Sequence, residues 1–193
     1  MPDHYRTFAA IELPGNIRDR IQQHINELKS KVPESHPSWT QVDNIHLTIK
    51  FFGNVETNKI ADITEAATRV SKNFTRFKIA VGGTGAFPKP GQPRVLWIGI
   101  EDLENKLAEL QRSFENECAM AGFTKEDRDF RPHLTIARIR KPEGARGLAE
   151  VNNELGFEAM ELTVNELVVF RSELSSQGSK YTALSRHPLS DVP

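Results

Sequence analysis

The segment His46-Leu47-Thr48-Ile49 occurs twice, returning 87 positions later as His133-Leu134-Thr135-Ile136. Four identical residues in a row at that separation predict a repeated structural unit. Each copy opens a stretch with strand composition, Ile45 to Phe52 and His133 to Arg140. Side chains alternate across a strand, so Leu47 and Ile49 point to one face and His46 and Thr48 to the other. The apolar pair can anchor the strand in a core while the polar pair faces a cleft, and the second copy repeats this with His133 and Thr135. If the two copies face each other, two imidazoles and two hydroxyls share one small volume. Such a site has two groups that titrate near neutral pH and two neutral hydrogen-bond donors.

Working outward, the chain reads as one domain over residues 1–193, with no linker or low-complexity tract. Thr7 to Leu13 predicts a strand ended by Pro14-Gly15. Asn16 is the expected cap of a helix with the stripe Ile17, Ile21, Ile25 and Leu28. A helix is expected from Thr57 to Ser71 and strands over Phe77–Thr84 and Arg94–Ile100, separated by a proline-rich loop. Leu103, Leu107, Leu110 and Phe114 mark what reads as the longest helix, with Gly122 as its stop. A short helix over Arg146–Leu155 and strands over Glu161–Phe170 and Lys180–Arg186 complete the chain. Strands that follow one another directly near the end favour α+β with antiparallel pairing over a doubly wound parallel sheet.

Composition narrows the function. Hydrophobic residues make up 38% and charged residues 26%, which is globular. The longest apolar runs, such as Val95 to Ile98, are far below the roughly 18 residues of a membrane span. The opening Met-Pro-Asp-His-Tyr-Arg lacks the apolar core of a signal peptide. Cys118 is the only cysteine, which excludes an internal disulfide and fits a reducing cytoplasm. A formal charge of −1 argues against coating long nucleic acid but permits gripping a single phosphate.

Two opposed histidines can serve as general base and general acid on opposite sides of a phosphorus, with the threonine hydroxyls holding the non-bridging oxygens. Zinc is the competing use of paired histidines, but neither H-E-x-x-H nor H-x-H occurs, and the pattern is read as metal-free. Arg131, Arg138, Arg140, Lys141 and Arg146 stand against Glu143 alone, where an anionic RNA end would be steered. Arg138 is the chosen phosphate or base contact. It faces away from His133 in an unbroken strand and must curl round at the strand end. Phe51, at the same offset after His46, can stack on a terminal base or sit in the core. Trp39 and Trp97 read as core; His4, His24, His36 and His187 as surface or capping residues; Lys89 as a possible phosphate contact.

The two motifs resemble those of the 2H phosphoesterase superfamily, and most closely its RNA 2′,3′-cyclic phosphodiesterase branch, the LigT-like or 2′–5′ RNA ligase family. The resemblance extends through Arg6-Thr-Phe-Ala-Ala-Ile-Glu-Leu-Pro, Trp39 with Asn44-Ile-His-Leu-Thr-Ile-Lys-Phe-Phe-Gly, Gly85-Ala-Phe-Pro, Arg94-Val-Leu-Trp-Ile-Gly, Phe130-Arg-Pro-His-Leu-Thr-Ile-Ala-Arg and Phe170-Arg-Ser-Glu-Leu, in that order. It implies a bilobal α+β fold, two mainly antiparallel sheets with outer helices, and a central cleft carrying both motifs. It also implies hydrolysis of an RNA-terminal 2′,3′-cyclic phosphate to a 2′-phosphomonoester with no cofactor, and reversible 2′–5′ RNA ligation. By motif position His46 is then the proton donor and His133 the proton acceptor, with Thr48 and Thr135 on the phosphate; Arg131, from the basic stretch, is a further candidate RNA contact. The implied partners are RNA ends, tRNA fragments among them, for a monomer that needs no membrane. A hydrolase of small cyclic nucleotides or ADP-ribose cyclic phosphate, and a non-catalytic RNA-end binding module, remain the alternatives. The intact histidines and threonines tell against the binder.

Overall fold

The computed structural model describes residues 3–88, 92–141, 144–175 and 178–191. Its elements run β1 (His4–Glu12), α1 (Gly15–Lys31), β2 (Ser38–Trp39), β3 (His46–Glu56), α2 (Ile60–Lys72), β4 (Phe77–Phe87), β5 (Val95–Glu101), α3 (Lys106–Met120), β6 (His133–Arg138), α4 (Ala145–Leu155), β7 (Met160–Val164), β8 (Glu166–Ser175) and β9 (Gly178–Pro188). The strands form two sheets, ordered β3-β1-β8-β9 and β2-β6-β5-β4-β7, and every pairing within them is antiparallel. The fold is therefore α+β, as the run of strands near the end of the sequence requires. No described helix is long and apolar enough to cross a membrane.

Burial follows the sequence periodicities. Ile17, Ile21, Ile25 and Leu28 of α1 are at most 2% exposed, as are Leu47 and Leu134 of the motif strands. They belong to a continuous apolar cluster that draws on both sheets and all four helices. Each such side chain contributes about 1.5–3 kcal/mol on burial. α2 packs against β8, β9 and α3, while α4 packs against β4 and α1. The opposite face of the first sheet carries a small second cluster of Phe8, Ala10, Val168 and Phe170, with Tyr181 against it. That face is the one His46 and Thr48 share.

Several boundaries differ from the sequence reading. Leu103 is 89% exposed and lies outside α3, which starts at Lys106 after Asn105 takes a left-handed φ of 58°. With α3 cut to 15 residues, α1 at 17 is the longest helix. Its N-cap is Pro14, not Asn16, and no side chain caps it. The stretch Glu161–Phe170 is two strands, broken at Asn165, whose carbonyl accepts from Leu189 N–H at 2.8 Å. β7 closes the second sheet and β8 crosses to the first. Gly122 does follow the end of α3, at φ 87°. The sheets also fail to coincide with the two halves of the chain. The hairpin β8–β9 returns to complete the first sheet, and the short β2 is lent to the second.

Candidate active site

The two motif strands carry the same local irregularity. In β3, Thr48 lies opposite Ala10 but Lys50 lies opposite Ala9, leaving Ile49 as an extra residue. In β6, Thr135 lies opposite Trp97 but Ala137 lies opposite Leu96, leaving Ile136 as the extra residue. A bulge shifts the alternation by one position. The residue five after each histidine is thereby returned to the histidine's own face. Phe51 is placed opposite Phe8, and Arg138 opposite Val95 on the Thr135 side of the sheet. Arg138 thus reaches the cleft face through the bulge, and no curling at the strand end is needed. β3 and β6 meet where the two sheets approach.

Both imidazoles are oriented in the same way. His46 Nδ1 lies 2.8 Å from the carbonyl of Asn44, and His133 Nδ1 lies 2.7 Å from the carbonyl of Arg131. A carbonyl only accepts, so Nδ1 carries the proton in each ring and Nε2 is left for chemistry. Among the described residues neither Thr48 nor Thr135 has a hydrogen-bond partner for its hydroxyl, so each is free to serve a ligand.

Their surroundings differ. The His46 ring stacks on Phe8 at 4.6 Å and meets Tyr181 edge-on at 5.3 Å. Burial among these rings pulls its pKa below the ordinary value; the Asn44 carbonyl and the Glu12 carboxylate oppose that pull. His133 has one aromatic neighbour, Phe87, edge-on at 5.2 Å. Phe87 in turn meets Trp97 at 5.3 Å. Trp97 is half-buried opposite Thr135 and belongs to neither apolar cluster, and Gly85 beneath it leaves no room for a Cβ. Trp39 does pack against the core.

A cavity of about 680 Å³ is lined by Thr48, Lys50, Phe51, Phe87, Glu115, Arg131 and His133, among others, together with the segment from Glu126 to Phe130. His46 and Thr135 sit on the same two strands but line no described cavity. Arg138 is exposed at the far end of β6, beyond this cavity. Phe51 is 46% exposed, with the Arg6 guanidinium 4.6 Å from its ring, so it is a surface ring and not a core one.

Two histidines read as surface or capping residues are buried. His24 bonds Asn152 at 2.8 Å, and His187 sits between Thr68 at 3.0 Å and Ser185 at 2.8 Å. Each bridges a helix to another element, and burial lowers the pKa of both. His4 and His36 are exposed, and Lys89 lies outside the described residues. The Cys118 thiol is buried and pushed up to about 12 by that burial, so it is inert. Among the described residues no group of three or more His, Cys, Asp or Glu is placed to hold a metal ion. Sequence reasoning missed Phe8, Tyr181 and Phe87, whose roles depend on cross-strand neighbours, and the buried pair Lys50 and Glu115, which are 65 residues apart.

Comparison with known proteins agrees with this fold. The pattern of the 2′-5′ RNA ligase superfamily matches residues 17–175. A protein of Methanothermobacter thermautotrophicus named RNA 2′,3′-cyclic phosphodiesterase is 35% identical over 92% of this chain and 95% of its own length. A crystal structure from Thermus thermophilus superposes with a TM-score of 0.79 at 25% identity, over 95% of this chain and 97% of that one. Ligand-free LigT of Escherichia coli has the same fold, with a TM-score of 0.74 at 24% identity over 97% and 99% of the two chains.

Proposed function

The chain belongs to the 2′-5′ RNA ligase superfamily, and from that premise we propose that it hydrolyses the 2′,3′-cyclic phosphate at an RNA end to a 2′-phosphomonoester, without a metal, through His46 and His133. The observation that carries the reading is the matched pair of rings. Each is pinned through Nδ1 to a backbone carbonyl, and each stands two residues from a hydroxyl with no protein partner.

In the displacement, a water oxygen forms a bond to phosphorus as the bond from phosphorus to the 3′-oxygen breaks. The Nε2 of one neutral imidazole takes the proton of the water, and the Nε2–H of the other, protonated imidazole supplies the 3′-oxygen. Motif position assigns His133 as acceptor and His46 as donor. Burial favours the neutral form of His46, so the donor role needs the negative phosphate beside it to favour the cation. Thr48 and Thr135 donate to the non-bridging oxygens, whose charge grows in the transition state. A 2′,3′-cyclic phosphate exists only on ribose, so the scissile group itself selects RNA. Phe51 offers an exposed ring to a terminal base, and Arg131 and Arg138 offer charge to the RNA backbone.

The test is incubation of the protein in excess chelator with an oligonucleotide ending in a 2′,3′-cyclic phosphate. The expected product is the 2′-phosphomonoester at an undiminished rate. A rate lost on chelation and restored by zinc or magnesium would overturn the metal-free reading, and a 3′-phosphate product would overturn the assignment of the leaving oxygen.

A further inference from the structure

Lys50 is the first residue after the β3 bulge, which turns it from the face of His46 and Thr48 to the inner one; 4% of its side chain is exposed, and with Glu115 it forms part of the wall of the cavity of about 680 Å³. All three protons of its ammonium are used. It donates to both carboxylate oxygens of Glu115, with Oε2 at 2.6 Å, and to the carbonyl of Thr124 at 2.9 Å. Glu115 Oε1 also accepts from the backbone N–H of Glu126 at 3.2 Å. One buried ion pair therefore grips the segment between α3 and β6 at a carbonyl and at an N–H two residues apart.

That segment contains no helix or strand of its own. From Glu126 to Arg131 it lines the cavity that also holds Thr48 and His133, and the Arg131 carbonyl at its end orients the His133 ring. After the second bulge the corresponding position is Ala137, fully buried, so the bulged strand does not itself demand a charge there. Stability does not demand one either. Desolvation of a buried pair offsets most of its Coulomb attraction, and apolar residues of like volume are often as good or better. What an apolar pair would not do is bond the backbone of the segment.

We propose that Lys50 and Glu115 are positioning residues for the catalytic site. They fasten the segment from Gly122 to Pro132 to β3, so that the cavity wall and the carbonyl that aims His133 keep register with Thr48. The consequence for turnover rests on the proposed role of His133; the consequence for the free protein does not.

The test compares wild type with Lys50→Met/Glu115→Met, which removes both charges together, and with Glu115→Gln, which keeps the size of the side chain and one acceptor. In the ligand-free protein, amides from Phe123 to Arg131 should exchange roughly tenfold faster in the double variant, while those of β1 and β8 stay protected. Nitrogen NMR should show His133 losing its preference for the Nδ1–H form while His46 keeps it. The melting temperature should change little, and kcat on the cyclic phosphate should fall about tenfold or more as His133 loses its aim. Glu115→Gln should move each readout the same way by less, and it decides the matter if the double variant does not fold. Unchanged exchange and an unchanged His133 tautomer in a folded variant would overturn the proposal, as would a uniform loss of protection across the molecule. A wild-type protein that opens no cyclic phosphate would defeat the functional reading, while the exchange and tautomer results would still decide this one.

Discussion

His46 and His133 open identical tetrads, lie on strands with the same bulge, and donate Nδ1–H to the carbonyl two residues before them. Around them the two regions share little. His46 is wedged between Phe8 and Tyr181 on the face of a sheet, whereas His133 follows an irregular segment and touches one ring. Past the bulges, Lys50 and Phe51 in one copy stand where Ala137 and Arg138 stand in the other. The proposed displacement needs one protonated and one neutral imidazole at the same moment. The repeated tetrad supplies geometry, whereas burial disfavours the cation on His46, the ring that motif position makes the donor, so the bound phosphate must set the division of labour.

The strongest way to break the comparison is to remove one ring. Ala at either His46 or His133 should lower kcat by about 10²–10⁴, with the double variant well short of the product of the two losses. A folded single variant with unchanged kcat would remove that histidine from the mechanism. The hydroxyls come next. Thr48→Val and Thr135→Val keep the shape and should each lose about 1–3 kcal/mol of transition-state stabilisation, read from kcat/KM. Wild-type kinetics in both would make the threonines structural.

The unlike surroundings can be titrated. In His133→Ala the residual rate should fall as pH rises through the pKa of His46, a value below the ordinary one because burial disfavours the cation. A residual rate that rises over that range would make His46 the base. Stability runs the opposite way with pH. His24, His46 and His187 all have pKa values lowered by burial from 6.5, so the unfolded chain binds more protons than the folded one below that pH. Their cost is absent above the unfolded pKa and grows as pH falls below 6.5 toward the folded values. The melting temperature should therefore drop between neutral and mildly acid pH, and His187→Gln should lessen the drop.

The smallest effect belongs to Arg138, exposed at the far end of β6. Arg138→Ala should raise KM for a longer RNA at low salt while sparing a mononucleoside 2′,3′-cyclic phosphate. It should also flatten the salt dependence of that KM by about one phosphate contact. Equal KM values for the two substrates at every salt concentration would favour a small-molecule hydrolase.

Much of this arrangement was legible before the structure. The repeat of His-Leu-Thr-Ile marks the two matched rings, the alternation marks which side chains turn inward, and the helical stripe of α1 is buried as spaced. The bulges were not legible, because an extra residue in a strand is a property of the pairing and not of one strand alone. That is why Arg138 was expected to face away from His133, and why nothing singled out Lys50. His24 and His187 deceived for a related reason: their partners Asn152 and Thr68 lie 128 and 119 residues away. Asn165 and Glu166 interrupt the alternation of Glu161–Phe170, but two adjacent polar residues do not say that the chain is changing sheets. The sequence similarly gave no sign that Tyr181 would close over a histidine 135 positions earlier.

The division of labour is tested most directly by replacing the bridging 3′-oxygen of the substrate with sulfur, a leaving group that departs without a proton. With His46 as acid, His46→Ala should recover most of its lost rate on the sulfur substrate relative to wild type, and His133→Ala should recover none. Recovery by His133→Ala instead, or by neither variant, would contradict an acid at His46 and a base at His133 acting across one phosphorus.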